Sequence, residues 1–220
     1  MNPRNYQAEM ERELETVSAL AQTPRLLLHS CCAPCSSYVL EYLTRYFDIT
    51  VFYYNPNIYP DEEYLHRSAE QKAFIDRFPA CHEIRFLSGA FEKERFYETV
   101  KGTEALPEGS ERCFRCYRLR LSETAKRAKE SGFDYFTTTL SISPMKNAAK
   151  LNAIGEELAE EYGVRYLPSD FKKKNGYQRS IEISREYGMY RQDYCGCIYS
   201  FREREEQKKK KEEEQSGSGA

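Results

Sequence analysis

The sequence predicts an α/β protein in which helices cover both faces of a parallel sheet. Short apolar or β-branched segments alternate with longer helical patterns along most of the chain. The connections between successive strand segments are long enough to carry a helix, as parallel pairing requires. A length of 220 residues is that of one domain, and 40% hydrophobic with 31% charged residues is ordinary for a soluble protein.

Five segments have the composition of strands. The first is the apolar run RLLLHSC at residues 25–31, and the second, at residues 49–54, is rich in β-branched and aromatic side chains. Further strands are predicted at residues 83–87, 134–140 and 165–167. Ligands bind at the carboxyl ends of parallel strands, and the segments that follow the first and fourth strands are therefore expected at one shared edge.

Helical patterns occupy the intervals between these strands. They are predicted for residues 1–20, 36–47, 61–78, 91–100, 111–131 and 147–162. Acidic residues open the segment that starts at Asp61, where they suit the positive end of the helix dipole. We expect residues 1–201 to form a single catalytic domain. Residues 202–220 are expected to form a charged, flexible tail, because residues 202–214 are almost all charged and the last five are linker-like.

The charge and hydropathy patterns exclude several classes of protein. A net charge of −2 excludes a globally basic nucleic-acid-binding protein, but it allows a local basic patch. No apolar run approaches the roughly 18 residues of a membrane span. The N-terminal segment also lacks the apolar stretch of a signal peptide. We therefore expect a cytoplasmic protein with no membrane partner.

The eight cysteines are the most informative residues of the sequence. Cys81 is isolated and is expected to be a buried, inert thiol. The other seven form three groups: Cys31, Cys32 and Cys35; Cys113 and Cys116; and Cys195 and Cys197. In a reducing compartment, such grouping points to metal or redox chemistry.

The first two groups offer two pairs of closely spaced thiols, Cys31 with Cys32 and Cys113 with Cys116. Together these four thiols would complete either a structural zinc site or an iron–sulfur cluster. The spacing of Cys113 and Cys116 also occurs in thioredoxin-like redox pairs. Because the vicinal pair follows a core strand, where active sites lie, the pattern favours iron–sulfur chemistry over structural zinc.

The two cysteines of the third group are separated by a single glycine, Gly196, which permits the unusual backbone of a Cys-x-Cys pair. A disulfide between Cys195 and Cys197 would be strained and easily reduced, so the pair suits redox switching. Two further metal ligands, or simple packing, remain as alternatives.

Two stretches have a local excess of positive charge. Residues 112–131 contain seven basic and two acidic side chains, and residues 165–191 contain seven basic and three acidic ones. The segment from Lys172 to Arg179 combines consecutive lysines with Tyr177, as phosphate contacts and base stacking require. A solvated lysine loop is the alternative for this segment by itself.

Five motifs resemble those of the QueH-type epoxyqueuosine reductases. They are HSCCAPC at residues 29–35, YNPNI at 54–58, CFRCYRLR at 113–120, SISPMKN at 141–147 and YRQDYCGC at 190–197. The resemblance implies a Rossmann-like fold of the nucleotide alpha-hydrolase group. It also implies the last step of bacterial queuosine biosynthesis, in which the epoxide of epoxyqueuosine at the tRNA wobble position is reduced without cobalamin.

The resemblance also implies roles for particular residues. Cys31, Cys32, Cys113 and Cys116 correspond to the ligands of a four-iron, four-sulfur cluster. An additional iron lies beside the cluster in this family, and Cys35 occupies a position where some members have Asp. Epoxide reduction needs a Lewis acid and two electrons. The second electron comes from an external donor or from Cys195 and Cys197.

The remaining candidates complete the predicted site. Arg191, Cys35, Cys195 and Cys197 are the candidate catalytic residues. The candidate residues for binding the tRNA substrate are Asn55, Asn57, Ser143, Lys146, Lys172, Lys173, Lys174, Tyr177, Arg179 and Arg191.

Two other functions are compatible with parts of the sequence. A PP-loop-like ATPase that thiolates tRNA would need a glycine-rich phosphate loop after the first strand, and the segment His-Ser-Cys-Cys-Ala-Pro contains no glycine. A non-enzymatic zinc module that binds RNA is the second alternative. Anaerobically purified protein that contains only zinc and is colourless would favour that module.

Overall fold

The computed structural model describes residues 4–217 and contains eight α-helices and five strands within that range. In chain order these are α1 (Tyr6–Ser18), β1 (Arg25–His29), α2 (Ala33–Leu43), β2 (Asp48–Tyr53), α3 (Asp61–Ile75), β3 (Ile84–Ser88), α4 (Lys93–Val100), α5 (Glu111–Glu130), β4 (Tyr135–Thr138), α6 (Ala148–Tyr162), β5 (Arg165–Tyr166), α7 (Gly176–Glu186) and α8 (Ile198–Gly217). A short 3₁₀ helix, Thr139–Ile142, follows β4. The predicted alternation of strands and helices is confirmed.

All five strands are parallel and lie in the order β3-β2-β1-β4-β5. β1 occupies the centre of the sheet, and its final residue, His29, is paired with Phe52 of β2 and Thr138 of β4. The carboxyl ends of β1, β2 and β4 are therefore adjacent. The loops that follow these three strands carry the cysteine, asparagine and serine motifs, which the sequence analysis expected at one edge.

Helices pack on both faces of the sheet because the central strand is apolar on both of its sides. Leu26 and Leu28 of β1 point into a core formed with α1, α2, α3 and α7, whereas Leu27 points into the core on the opposite face, formed with α4, α5 and α6. All three leucines are fully buried. A continuous apolar run with no polar alternation is typical of a parallel strand covered on both faces. The predicted α/β architecture is confirmed.

Capping residues mark the boundaries of several helices. Asn147 caps α6 by accepting a hydrogen bond from the backbone N–H of Lys150 at 3.0 Å, and Gly163 ends that helix in a left-handed conformation with φ of 66°. In α5, Glu111 lies in the first turn, and Arg127 and Lys129 lie in the last, where each charge suits the helix dipole. These signals explain why α5 and α6 match the predicted ranges closely.

Besides shifts in helix ends, such as α2 at 33–43 instead of 36–47, three differences from the predicted elements concern the site and its surroundings. β1 ends at His29 rather than at residue 31, which leaves Cys31 and Cys32 in the loop. The last two residues of the predicted fourth strand belong to the 3₁₀ helix, because the Thr138 hydroxyl accepts a hydrogen bond from the Leu140 backbone and turns the chain. Helix α7 was not predicted.

Helix α7 begins inside the segment that the sequence analysis treated as a basic loop. Lys174 and Asn175 adopt positive φ angles and turn the chain into the helix, which packs against α2. Gly176 starts the helix in very close contact with α2, since a Cβ atom there would lie 2.4 Å from the Tyr38 ring. Only a residue without a side chain fits this approach.

The charged C-terminal segment is helical as far as it is described. Helix α8 extends from Ile198 to Gly217, and the last three residues of the predicted tail, 218–220, lie outside the described part of the chain. Its flexibility remains a prediction. Within residues 4–217, no helix is both long and apolar enough to cross a bilayer.

Candidate metal and substrate site

The first cysteine group lies in the loop between β1 and α2. Cys32 is the N-cap of α2 and has an extended backbone, with φ of −174° and ψ of 162°, and Pro34 lies in the first turn. This geometry brings the Sγ atoms of Cys31, Cys32 and Cys35 within 4.8 Å of one another, and those of Cys31 and Cys32 are 3.7 Å apart. Three sulfurs at this spacing can bind one metal centre.

Hydrogen bonds among the three sulfurs favour ionisation of one of them, Cys31, over the other two. Hydrogen bonds from Cys32 and Cys35 to Cys31 hold the pKa of Cys31 well below its ordinary value. The same interaction raises the pKa of Cys32 to about 12 and that of Cys35 well above its ordinary value. Gln192 adds a further donor, with its Nε2 atom 2.9 Å from the Cys32 sulfur. The group is thus built around an anion.

The second and third cysteine groups lie together, although they are far apart in the sequence. Cys113 and Cys116 are three positions apart in the first turns of α5 and therefore share a helix face. They line one small cavity, of about 10 Å³, together with Cys195 and Cys197. Burial raises the pKa of Cys113, and it raises that of Cys116 to about 12.

The Cys195–Cys197 segment adopts the backbone that the sequence analysis expected of it. Gly196 has a φ of 118°, and a Cβ atom at this position would lie 3.0 Å from Nη1 of Arg67. Both cysteines are free thiols in the structure. Cys81 is also free, but it is exposed, so the expectation of a buried thiol was wrong; the residue follows a turn at the sheet margin rather than packing beneath a strand.

Several buried polar atoms around the cysteines have no hydrogen-bond partner. These atoms are Asn57 Oδ1, Arg67 Nη1 and Nη2, Arg112 Nε, Tyr117 Oη and Gln192 Oε1. Buried polar groups normally have partners, and an unpaired set around one site calls for a ligand or ion. Arg67, Arg112 and Tyr117 offer N–H or O–H donors, which an anionic, sulfur-containing group could accept. Their placement and the thiol donors together fit an iron–sulfur centre.

A fully buried polar network lies beneath the cysteines. The Nε atom of Arg120 is 3.2 Å from Nε2 of His29, and its Nη2 atom donates to Oδ1 of Asn55 at 2.6 Å. Asn55 also donates to the carbonyl of Ser30 at 2.9 Å. Burial, followed by the charge of Arg120, lowers the pKa of His29 to about 3, so the imidazole is neutral.

A pocket of about 530 Å³ opens directly above the cysteines. Cys31, Cys35 and Cys195 line it, together with residues 142–146 and 191–194. Helices α7 and α8 complete the walls. A volume of this size is typical of a small-molecule site. The pocket therefore places a bound ligand against sulfurs from two of the three cysteine groups.

Lys146 links the pocket to the third cysteine group. Its Nζ atom donates at 2.8 Å both to Oε1 of Glu108 and to Sγ of Cys195. Burial by itself would lower the pKa of Lys146, but the neighbouring Cys195, Tyr117 and Glu108 outweigh it and raise the pKa well above its ordinary value. Lys146 consequently remains a cation at the pocket wall.

Four of the residues predicted to bind substrate line this pocket: Ser143, Lys146, Tyr177 and Arg191. Arg191 donates to Oγ of Ser184 at 2.9 Å and lies 5.9 Å from the centroid of the Tyr177 ring. Asn57 lines the smaller cavity instead. Asn55 is fully buried and makes the two internal hydrogen bonds described above, so its amide faces the protein interior.

The other predicted basic residues lie on the surface and are mostly paired with carboxylates. Lys172 pairs with Asp170 at 2.5 Å, and Lys174 pairs with Glu11. The guanidinium of Arg179 contacts three glutamates, Glu41, Glu182 and Glu186. Lys173 is exposed. The local charge of this surface is thus smaller than the sequence suggests.

Sequence reasoning missed several residues of the site. Glu203, Arg204 and Gln207 of α8 line the large pocket, although their segment has the composition of a solvated tail. Nothing in that composition identifies a pocket wall. Arg120 was quoted only as part of a motif, but its position four residues after Cys116 puts both on one helix face, a signal that could have identified it.

Comparison with known proteins identifies the family. Residues 26–203 match the family model described as "Epoxyqueuosine reductase QueH". A protein of that name from Streptococcus pyogenes serotype M1 is 44% identical over 205 residues, which cover 91% of this chain and 80% of the relative. One from Staphylococcus epidermidis is 42% identical over 200 residues, covering 89% and 84%.

A more distant bacterial relative covers the same region. The protein named epoxyqueuosine reductase QueH from Thermotoga maritima is 38% identical over 185 residues, which cover 81% of this chain and 91% of the relative. The family-model match over residues 26–203 spans all three cysteine groups and the loops around the large pocket. The chain belongs to the QueH family of epoxyqueuosine reductases.

Proposed function

We propose that this protein reduces epoxyqueuosine to queuosine in tRNA and that an iron–sulfur cluster carries the electrons. The observation that carries this proposal is the family match over residues 26–203, which contains every cysteine of the site. The family and its relatives are named as epoxyqueuosine reductases, and the chain is accordingly an oxidoreductase. Removal of the epoxide oxygen as water, with formation of the alkene, consumes two electrons and two protons.

In this proposal, Cys31, Cys32, Cys113 and Cys116 hold a four-iron, four-sulfur cluster, and Cys35 helps to hold an additional iron. The support is chemical: Cys31, Cys32 and Cys35 form the three-residue metal group found among the described residues, and its ligand atoms are all thiol sulfurs. Soft thiolate ligands select iron–sulfur clusters or zinc over hard cations. When bound, the two centres supply single electrons and a Lewis acid for the epoxide oxygen.

The protein's own residues position the substrate. The large pocket has a volume that suits a modified nucleobase, and three cysteines are among its lining residues. Tyr177 lines the pocket, is 37% exposed to solvent and offers a ring for base stacking. Arg191 and Lys146 provide fixed cations on the walls, since each is held by hydrogen bonds to neighbouring residues. Both cations suit an anionic nucleotide.

We assign electron delivery to Cys195 and Cys197. Cys195 lines the large pocket and also lines the small cavity with Cys113 and Cys116, so it is in contact with both the substrate and cluster regions. Oxidation of the two thiols to a disulfide would release two electrons and two protons, the number that the reaction consumes. An external donor would then reduce the disulfide after each turnover.

The tRNA would approach through the mouth of the large pocket. The basic surface formed by Lys172, Lys173, Lys174 and Arg179 is one candidate for contact with its backbone. Helix α8 is a second, because Arg204 lines the pocket and the helical repeat places Lys208 and Lys211 on the same face. Each surface is partly neutralised: Lys208 pairs with Asp193 and Glu205, as Lys172 and Lys174 pair with carboxylates, whereas Lys173 and Lys211 have no carboxylate partner among residues 4–217.

The direct test of the function is an assay of anaerobic, iron-reconstituted protein with epoxyqueuosine-containing tRNA and a chemical reductant. We expect conversion of the epoxide nucleoside to queuosine, measured by mass spectrometry of digested tRNA as the loss of one oxygen atom. Protein loaded with zinc is the control and is expected to be inactive. A colourless, zinc-only protein without turnover would favour the RNA-binding module instead.

Cysteine substitutions test the proposed ligands. Cys32→Ala is expected to lose both the brown iron–sulfur absorption and turnover, because the cluster loses one ligand. Cys35→Ala is expected to keep the absorption but lose turnover. Cys81→Ala is the matched control and should keep both, since Cys81 is exposed and lies outside the site. Full iron content in Cys32→Ala would contradict the ligand assignment, and normal turnover in Cys35→Ala would remove the role of Cys35.

Cys197→Ser tests electron delivery. The variant is expected to keep the iron and the cluster spectrum but to slow turnover, including the first turnover of pre-reduced protein, because no dithiol is available to be oxidised to a disulfide. Single- and multiple-turnover assays under anaerobic conditions measure the difference. Loss of the cluster in this variant would show instead that the Cys195–Cys197 pair provides ligands.

Salt dependence tests the tRNA surfaces. We expect joint replacement of Lys172, Lys173 and Lys174 by Ala to weaken tRNA binding and to flatten the slope of log affinity against log salt by roughly 0.7 to 0.9 per lost phosphate contact. Replacement of Lys208 and Lys211 is measured in parallel. The control is Lys126→Ala with Lys129→Ala, near the C-terminus of α5 and away from the pocket. A variant with an unchanged slope identifies a surface that does not face the RNA.

A further inference from the structure

Arg120 is a buried cation with no acidic partner. Its side chain is 2% exposed, and it forms no ion pair with a carboxylate within the described chain. Its two hydrogen-bond acceptors are the neutral ring of His29 and the amide oxygen of Asn55. A buried charge without a counter-charge is strongly unfavourable, so the fold must supply an anion to Arg120 from elsewhere.

The cysteine sulfurs are the groups that can supply this anion once they bind a metal. Arg120 lines the small cavity together with Cys113, Cys116, Cys195 and Cys197, and its hydrogen bond to Asn55 connects it to Ser30, the residue before Cys31. Arg120 therefore lies beside all three cysteine groups, and although burial disfavours its charge, the cysteines raise its pKa. Its place on α5 explains this position, because Cys113, Cys116 and Arg120 follow one another at helical spacing on one face.

Arg120 is also fixed in place more firmly than a surface arginine. Asn55 holds one end of its guanidinium at 2.6 Å, and Asn55 is itself fixed by its bond to Ser30, next to Cys31. The ring of His29 holds the Nε side and lies 2.8 Å from the Thr138 hydroxyl through its other nitrogen. The network therefore connects the ends of β1, β2 and β4 to α5.

We propose that Arg120 is the permanent internal counter-charge of the iron–sulfur cluster and raises its reduction potential. This inference rests on the cluster proposed above. Each electron that enters a cluster adds negative charge, and a fixed cation in a low-dielectric interior stabilises the reduced form more than the oxidised one. Arg120 acts through the sulfur ligands and is thus a positioning and electrostatic residue rather than a catalytic one.

The test compares the midpoint potentials of reconstituted Arg120→Met and Arg120→Lys, measured by anaerobic spectroelectrochemical titration. We expect the equilibrium constant for reduction of the cluster to fall at least tenfold in Arg120→Met, which is a decrease of about 59 mV in the midpoint potential of a one-electron couple. Arg120→Lys keeps the charge and should restore most of the lost potential. Arg118→Met, on the exposed side of the same helix and paired with Glu157, is the matched control and should leave the potential unchanged.

A second variant keeps the test valid if Arg120→Met fails to assemble a cluster. Asn55→Asp retains Arg120 and nearly the same side-chain shape, but it places a carboxylate against the guanidinium. Because this carboxylate neutralises the charge of Arg120, the midpoint potential should fall, as in Arg120→Met. A potential unchanged in Asn55→Asp, or equal shifts in Arg120→Met and Arg120→Lys, would overturn the role of Arg120. A wild-type protein with no redox-active centre would instead contradict the proposed cofactor.

Discussion

The structure depends on burying many thiols in a small volume at the end of a parallel sheet. Thiols that act as ligands must lose their protons, and buried negative charge is stable only beside positive charge and hydrogen-bond donors. The protein supplies these from the interior of the fold rather than from solvent. Arg67 and Arg120 are both fully buried beside the cysteines, and Gln192 donates directly to the sulfur of Cys32.

This requirement explains features that would otherwise be costly. Arg67 keeps two amino groups without hydrogen-bond partners, and it is held by Glu63 at 2.7 Å and by the ring of Tyr194. Gly196 is needed because a side chain there would approach the same guanidinium. A stability argument alone does not account for these unpaired donors. Their arrangement around one site is explained by a group that accepts hydrogen bonds and carries negative charge.

The sheet order creates the large pocket as well as the cysteine array. Because β1 lies between β2 and β4, the loops after these strands converge on one edge, and Cys31 and Cys35, which follow β1, line the pocket. Residues 191–195 and helices α7 and α8 then enclose the opening. The same segment that covers the pocket also carries Cys195, which couples substrate access to the cysteine array. In the function proposed above, this arrangement would bring the substrate next to the source of electrons.

The sequence by itself determined the α/β alternation, the convergence of motifs at one sheet edge and the pairing of Cys113 with Cys116 on a helix face. These follow from local periodicity and from the geometry of parallel strands. Only the tertiary structure decided that Cys195 and Cys197 lie against Cys113 and Cys116, that α8 walls the pocket and that Lys172, Lys174 and Arg179 are paired with carboxylates. Those contacts join residues distant in the chain, and no local pattern specifies which distant side chain will neutralise a charge or close a cavity.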